Sequence, residues 1–128
     1  MDMSMPVTVT WLTPNRTMLI VMAGDVTLAE IPLPQIREMV VNAPHKLDVL
    51  HDLSALTAMH INWAQLPDTV RGLRHPNIGN AYYVGGKPNP IMVAIMRFTA
   101  MLVRQRVYVF STMEAALHHL QKRQAANA

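Results

Sequence analysis

The run Val107-Tyr108-Val109-Phe110 is β-branched and aromatic, and it stops at Ser111-Thr112-Met113-Glu114-Ala115-Ala116-Leu117. The first part reads as a strand. The second opens a helix: Ser111 is a capping residue, and Glu114 stands three positions on, where its carboxylate can reach back to the Ser111 backbone N–H. Phe110 and Ala115 occupy the positions of a small hydrophobic staple. A strand therefore runs straight into a closing helix. The same strand-then-helix alternation recurs along the chain, and that pattern implies right-handed crossovers and a mostly parallel sheet.

Val7-Thr8-Val9-Thr10-Trp11 alternates with period two, Thr13-Pro14-Asn15-Arg16 is turn chemistry, and residues 17–23 are almost wholly apolar. This predicts an antiparallel N-terminal hairpin, ended by Gly24-Asp25. Pro32-Leu33-Pro34 leads into a helix with Leu33, Ile36, Met39 and Val40 on one face, closed by Asn42-Ala43-Pro44. A strand follows over 47–53, then a loop over 54–61. A helix is expected over 63–74, with Pro67 marking its start or a kink. The remaining elements are a strand over 80–84, a loop over 85–90, a helix over 91–105, the strand 107–110 and the last helix over 112–124. The order is β-β-α-β-α-β-α-β-α. The expected fold is α/β, a single mixed, mostly parallel sheet with an antiparallel N-terminal hairpin, packed by about four helices in one domain over residues 1–128.

Half the residues are hydrophobic and 15% are charged, which excludes a disordered chain. The net charge is +3 and the pI near 9.7, yet Lys and Arg are scattered along the sequence and not interleaved with aromatics, so nucleic-acid binding is not expected. There is no cysteine, hence no disulfide framework or thiolate chemistry. The longest apolar run, 91–103, is shorter than the ~20 residues that span a bilayer. No signal-peptide pattern opens the sequence, and a cytoplasmic protein is expected.

The initial hairpin, the strand ending in Asp52-Leu53-Ser54, the loop and helix after it, and the closing Phe110-Ser111-Thr112-Met113-Glu114-Ala115-Ala116-Leu117-His118-His119-Leu120 together resemble the STAS domain in its SpoIIAA-like branch. The resemblance covers nearly the whole chain. It implies a small regulatory or interaction module. In anti-sigma-factor antagonists of this family, a serine in an Asp-Ser-Ser-Gly type motif is phosphorylated at the start of the helix after the central strand. Here the matching stretch is Ala58-Met59-His60-Ile61-Asn62-Trp63, with no serine, acid or glycine. That phosphoswitch does not carry over.

In open α/β sheets ligands bind beyond the carboxyl ends of the strands. The expected ligand-binding residues there are Asp52, Ser54, His60, Trp63, Gly85, Gly86, Lys87 and Asn89. The glycines allow close backbone approach, Lys87 adds charge, and a helix start follows, which suits an anionic or amphiphilic ligand. The simpler reading is a tight turn with a solvated lysine. The histidines lack metal-ligand spacing, so no metal or other cofactor is expected. His118 and His119 are adjacent and face different sides of a helix. Methionine is in excess, at 11 residues. On the helix over 91–105, Met92, Met96, Thr99 and Val103 form a second apolar stripe beside the core stripe, which marks either a homodimer interface or a contact with another helix of the same chain. The residues point to a non-enzymatic module that binds a protein partner or a small apolar or anionic ligand. The alternative is a small enzyme built around Asp52, His60 and Lys87.

Overall fold

The computed structural model describes residues 6–60, 62–73, 76–85, 97, 101 and 106–126. The strands are β1 (Val7–Thr13), β2 (Thr17–Thr27), β3 (Leu47–His60), β4 (Ile78–Val84) and β5 (Val107–Phe110). The helices are α1 (Leu33–Val41), α2 (Leu66–Leu73) and α3 (Met113–Ala126), with a single 3-10 turn at Leu28–Glu30. One mixed sheet holds all five strands in the order β1-β2-β3-β4-β5; β1 pairs antiparallel with β2, and every other pairing is parallel. Three helices are described in full against the four or so expected. The remaining expected helix lies outside the described residues except at Arg97 and Met101, which are both helical and exposed.

The sequential strand order decides how the sheet is clothed. Each parallel step moves the same way, and the right-handed β2–β3 crossover places α1 on one face. Side chains alternate between faces along each strand, and the two cores follow that alternation. On the crossover face, Val7, Val9, Met18, Ile20, Met22 and Val49 pack against Ile36 and Val40 of α1. On the other face, Leu50, Tyr82 and Val84, with Tyr108 and Phe110 beside them, pack against Ala116 and Leu120 of α3. Tyr82 is fully buried. It stacks on Tyr108 at 5.1 Å, and the His119 ring closes the same cluster at 4.8 Å from Tyr108. His118, one residue earlier, is exposed.

The hairpin turn uses Asn15 at φ 59°, a left-handed conformation that Asn tolerates. Helix α1 starts with Pro34 in its first turn and ends at Asn42, whose N–H donates to Glu38 O, while Ala43 N donates to Val40 O.

Three local expectations are corrected. Gly24-Asp25 does not end β2. Gly24 takes φ 71°, the strand bends, and it continues to Thr27. Residues 54–60 are not a loop. They continue β3, paired in parallel to Ala23, Gly24, Asp25, Val26 and Thr27 through two register shifts that leave extra residues on β3. The last helix is capped by Thr112, whose Oγ1 accepts from Ala115 N at 3.2 Å, one residue later than Ser111. Glu114 consequently sits in the wrong position for a capping box.

Candidate functional site

The carboxyl ends of the parallel strands bring some of the expected residues together. Asp52 ends the segment of β3 that pairs with β4, opposite Val84, and Val84 in turn faces Phe110. Ser54 N donates to Asp52 Oδ1 at 3.1 Å, and the Ser54 hydroxyl donates to the same oxygen. Gly85 follows β4; its N–H donates to Phe110 O at 3.1 Å, and its Cα faces the Leu53 side chain. The cap of α3 starts beside it. Asp52, Ser54 and Gly85 thus lie where the pairing of β3 with β4 ends, and Thr112 follows β5 at the same end of the sheet.

His60 does not join it. Eight residues of extended chain separate His60 from Asp52, roughly 25 Å at strand rise. His60 stands instead at the far tip of the β2–β3 ribbon, with Nε2 3.9 Å from Asp25 Oδ2, while the Thr57 hydroxyl donates to Asp25 Oδ1 at 2.8 Å. Both members of that ion pair are well exposed. Trp63 is 65% exposed in the turn before α2, which Asn62 fastens by accepting from Ala64 N. Gly86, Lys87, Asn89, Met92, Met96, Thr99 and Val103 lie outside the described residues. His51 and Asp52 face opposite sides of the sheet. The His51 ring stacks on Tyr83 at 4.4 Å, and burial pushes its pKa down to about 4.

At the opposite end, the amino ends of the strands surround an open cleft of about 530 Å³. Arg16, His45, Lys46, Asp48, Gly79, Asn80, Arg106 and Gln124 are among its walls. Its origin is a mismatch between β3 and β4. Leu47 pairs with Ile78 and Val49 with Ala81, so β4 has one residue more than β3 across this step. Gly79 allows the resulting close approach, because a Cβ there would stand 2.8 Å from Leu47 O.

Three cations rim this cleft because each immediately precedes a parallel strand: Arg16 before β2, Lys46 before β3, Arg106 before β5. The first ladder bonds pin their backbones. Asp48 N donates to Arg16 O at 2.9 Å, and Ala81 N donates to Arg106 O at 2.8 Å. All three side chains are exposed, and none is ion-paired among the described residues. Asp48 lies half-buried beneath them. Burial raises its carboxyl above the usual aspartate value; a hydrogen bond from Gln124, one from the Asn80 backbone and the Arg123 charge pull it back. Gln124 also donates to the Thr17 hydroxyl at 2.8 Å, and Arg123 is held by Tyr108, donating to its hydroxyl at 2.9 Å.

The sequence reading missed this cleft. Basic residues scattered in sequence are gathered in space. The available signal was their common position, one residue before the start of a strand, which in a parallel sheet puts them all at the same end.

No protein-family model matches the sequence, and no match is found among curated proteins. Solved structures do match. A protein of the DUF3478 family with a SpoIIAA-like fold from Shewanella loihica PV-4 aligns with TM-score 0.61 at 14% identity, over 89% of this chain and 91% of that one. The anti-sigma factor antagonist SpoIIAA in its unphosphorylated form aligns with TM-score 0.55 at 16% identity, over 90% and 97%. At these identities the likeness is one of fold, and the fold of this chain is SpoIIAA-like.

Proposed function

We propose that this chain is a non-enzymatic regulatory or interaction module of the SpoIIAA-like type, which recognises a protein partner through the carboxyl ends of its parallel strands. The observation that supports the reading is the shared fold with SpoIIAA, an anti-sigma factor antagonist, aligned over 90% of this chain and 97% of that one at TM-score 0.55. The convergence of Asp52, Ser54 and Gly85 supports the choice of surface. The alternative of an enzyme working from Asp52, His60 and Lys87 requires groups that meet at one reacting atom. The separation of Asp52 from His60 along β3 weighs against it. Regulation by phosphate on residues 58–63 is not part of the proposal, since that stretch has no serine.

Photo-crosslinking tests the surface. A benzoylphenylalanine placed at Ser54 should give a discrete adduct in cells, and the same group at exposed Gln121 on α3 should not. Adducts of equal yield at both positions, or none at Ser54, contradict the reading. The apolar stripe of Met92, Met96, Thr99 and Val103 adds a homodimer to the proposal. Light scattering at ~100 µM should then report twice the monomer mass of 14.4 kDa, and a strict monomer would remove that part.

A further inference from the structure

The cleft at the amino ends has a composition that the proposed partner surface does not explain. Four cations stand in or beside it: Arg16, Lys46 and Arg106 on the rim and Arg123 next to Asp48. Asp48 is the one carboxylate among its described walls. Arg16, Lys46 and Arg106 against Asp48 leave the cleft lining with three cations and one anion. The described walls of the cleft therefore carry an excess of positive charge.

We infer that this cleft is a binding site for a small phosphorylated polyol, such as a sugar phosphate. Three features of the cleft select that class. First, arginine offers a planar fork of donors that matches phosphate oxygens, and lysine adds a point charge. Arg16 and Arg106 stand on strands three spacings apart, about 14 Å, with Lys46 between them. Their backbones are fixed by the first bonds of the ladder, so only side-chain rotation is needed for them to close on an anion. Second, the floor is not basic. Asp48, Asn80 and Gln124 offer carboxylate and amide groups, which accept from and donate to hydroxyls. A carboxylate under a cationic rim suits a ligand with an anionic end and a hydroxylated body. It repels a continuous phosphate backbone. Third, the volume of about 530 Å³ falls within the ~300–1,000 Å³ usual for small-molecule sites. The one-residue excess on β4 that opens the cleft is a device common beside functional sites. His45, with Nδ1 3.0 Å from Lys46 O, closes one wall.

This inference is independent of the partner surface at the other end of the sheet, and either can fail without the other. It is tested by titrating the ¹⁵N-labelled full chain with ribose 5-phosphate while following the backbone amides. The expected result is saturable shifts at Asp48, Gly79, Asn80 and Gln124. Affinity should fall by about 10- to 100-fold in Arg106→Glu, the loss of a charge-assisted contact. Ribose without phosphate should produce no saturable shift, and inorganic phosphate should bind more weakly than the sugar phosphate. Arg16→Gln is a milder second variant. It should also weaken binding while leaving the circular dichroism spectrum unchanged, so lost binding is not confused with lost folding. Inorganic phosphate binding as tightly as ribose 5-phosphate would overturn the polyol assignment. Binding of a DNA duplex at these amides in preference to ribose 5-phosphate, binding indifferent to both variants, or no saturable shift at millimolar ribose 5-phosphate would overturn the site.

Discussion

The two ends of the parallel sheet are built from the same four strands, yet they differ in chemistry and in backbone. The carboxyl ends present Asp52 and Ser54, bonded to each other, with Gly85 bonded to Phe110 O and Thr112 capping α3. The amino ends present Arg16, Lys46 and Arg106 around a cleft, with their side chains unpaired among the described residues. Parallel strands explain the contrast. Every residue that precedes a strand falls at one end, so a repeated local preference becomes a patch. An antiparallel sheet would have dispersed the same residues between both ends. The lesson is that in a parallel sheet, position relative to a strand start says more about a charged residue than its distance in sequence from other charges.

Helix α3 joins the two ends. It starts at the carboxyl end with the Thr112 cap and finishes at the cleft with Gln124. Leu120→Ala, at a site 3% exposed, should cost about 2–5 kcal/mol and release both ends together. Urea unfolding measures it. A loss confined to one end, seen by hydrogen exchange, would show that α3 does not couple them.

Acid should also destabilise the fold. Folded His51 titrates near 4, against 6.5 as its ordinary value. The unfolded chain therefore binds a proton that the folded chain refuses, and stability falls as pH drops from about 6.5 to about 4, by at most about 3 kcal/mol. Asp48, at the cleft, has the opposite sign: its raised pKa favours the folded state at low pH, and that contribution is lost as pH rises through its folded value. His51→Phe keeps a ring on Tyr83 and should flatten the slope above pH 4. An unchanged slope would place the acid sensitivity elsewhere.

The two glycines give the sharpest contrast between the ends. Gly79→Ala would put a methyl 2.8 Å from Leu47 O, a backbone atom that cannot move alone, and should cost about 1–3 kcal/mol. Gly85→Ala would meet only the Leu53 Cβ at 3.8 Å, an ordinary contact, and should change stability by no more than about 0.5 kcal/mol. Equal costs in thermal unfolding would mean that the close approach of β3 and β4 is not what shapes the cleft. Thr112→Ala lies between these, at about 1 kcal/mol for a lost cap.

Much of the fold was legible because its signals are local. The hairpin follows from alternation and the Asn15 turn. Helix α1 follows from Pro34, Ile36 and Val40, and β5 into α3 follows from a β-branched run meeting a capping residue. The distal half of β3 was not legible. Its inward residues Leu53, Leu56 and Met59 are three apart, since the register shifts insert extra residues, and a spacing of three is not a strand period. Its outward residues, Ser54, Thr57 and His60, are exposed and polar, which reads as a loop. Gly24 concealed the matching half of β2 in the same way, as a bend that resembles a break. For the proposed surface, the rule about strand ends pointed to Asp52, Ser54 and Gly85, and the structure places all three where the pairing of β3 with β4 ends. The cleft depends on register across four strands, and no single segment carries that information.

The central claim is that charge is polarised between the ends, and surface relaxation measures it most directly. Backbone amide relaxation is recorded with an anionic nitroxide and, separately, with a cationic one of similar size. At low salt, the amides of Arg16, Lys46, Gly79, Asn80, Arg106 and Gln124 should be relaxed far more by the anionic probe, while those of Asp52, Ser54, Gly85 and Thr112 should show no such preference. Equal probe ratios at both ends, or a stronger anionic preference at the carboxyl end, would contradict the account.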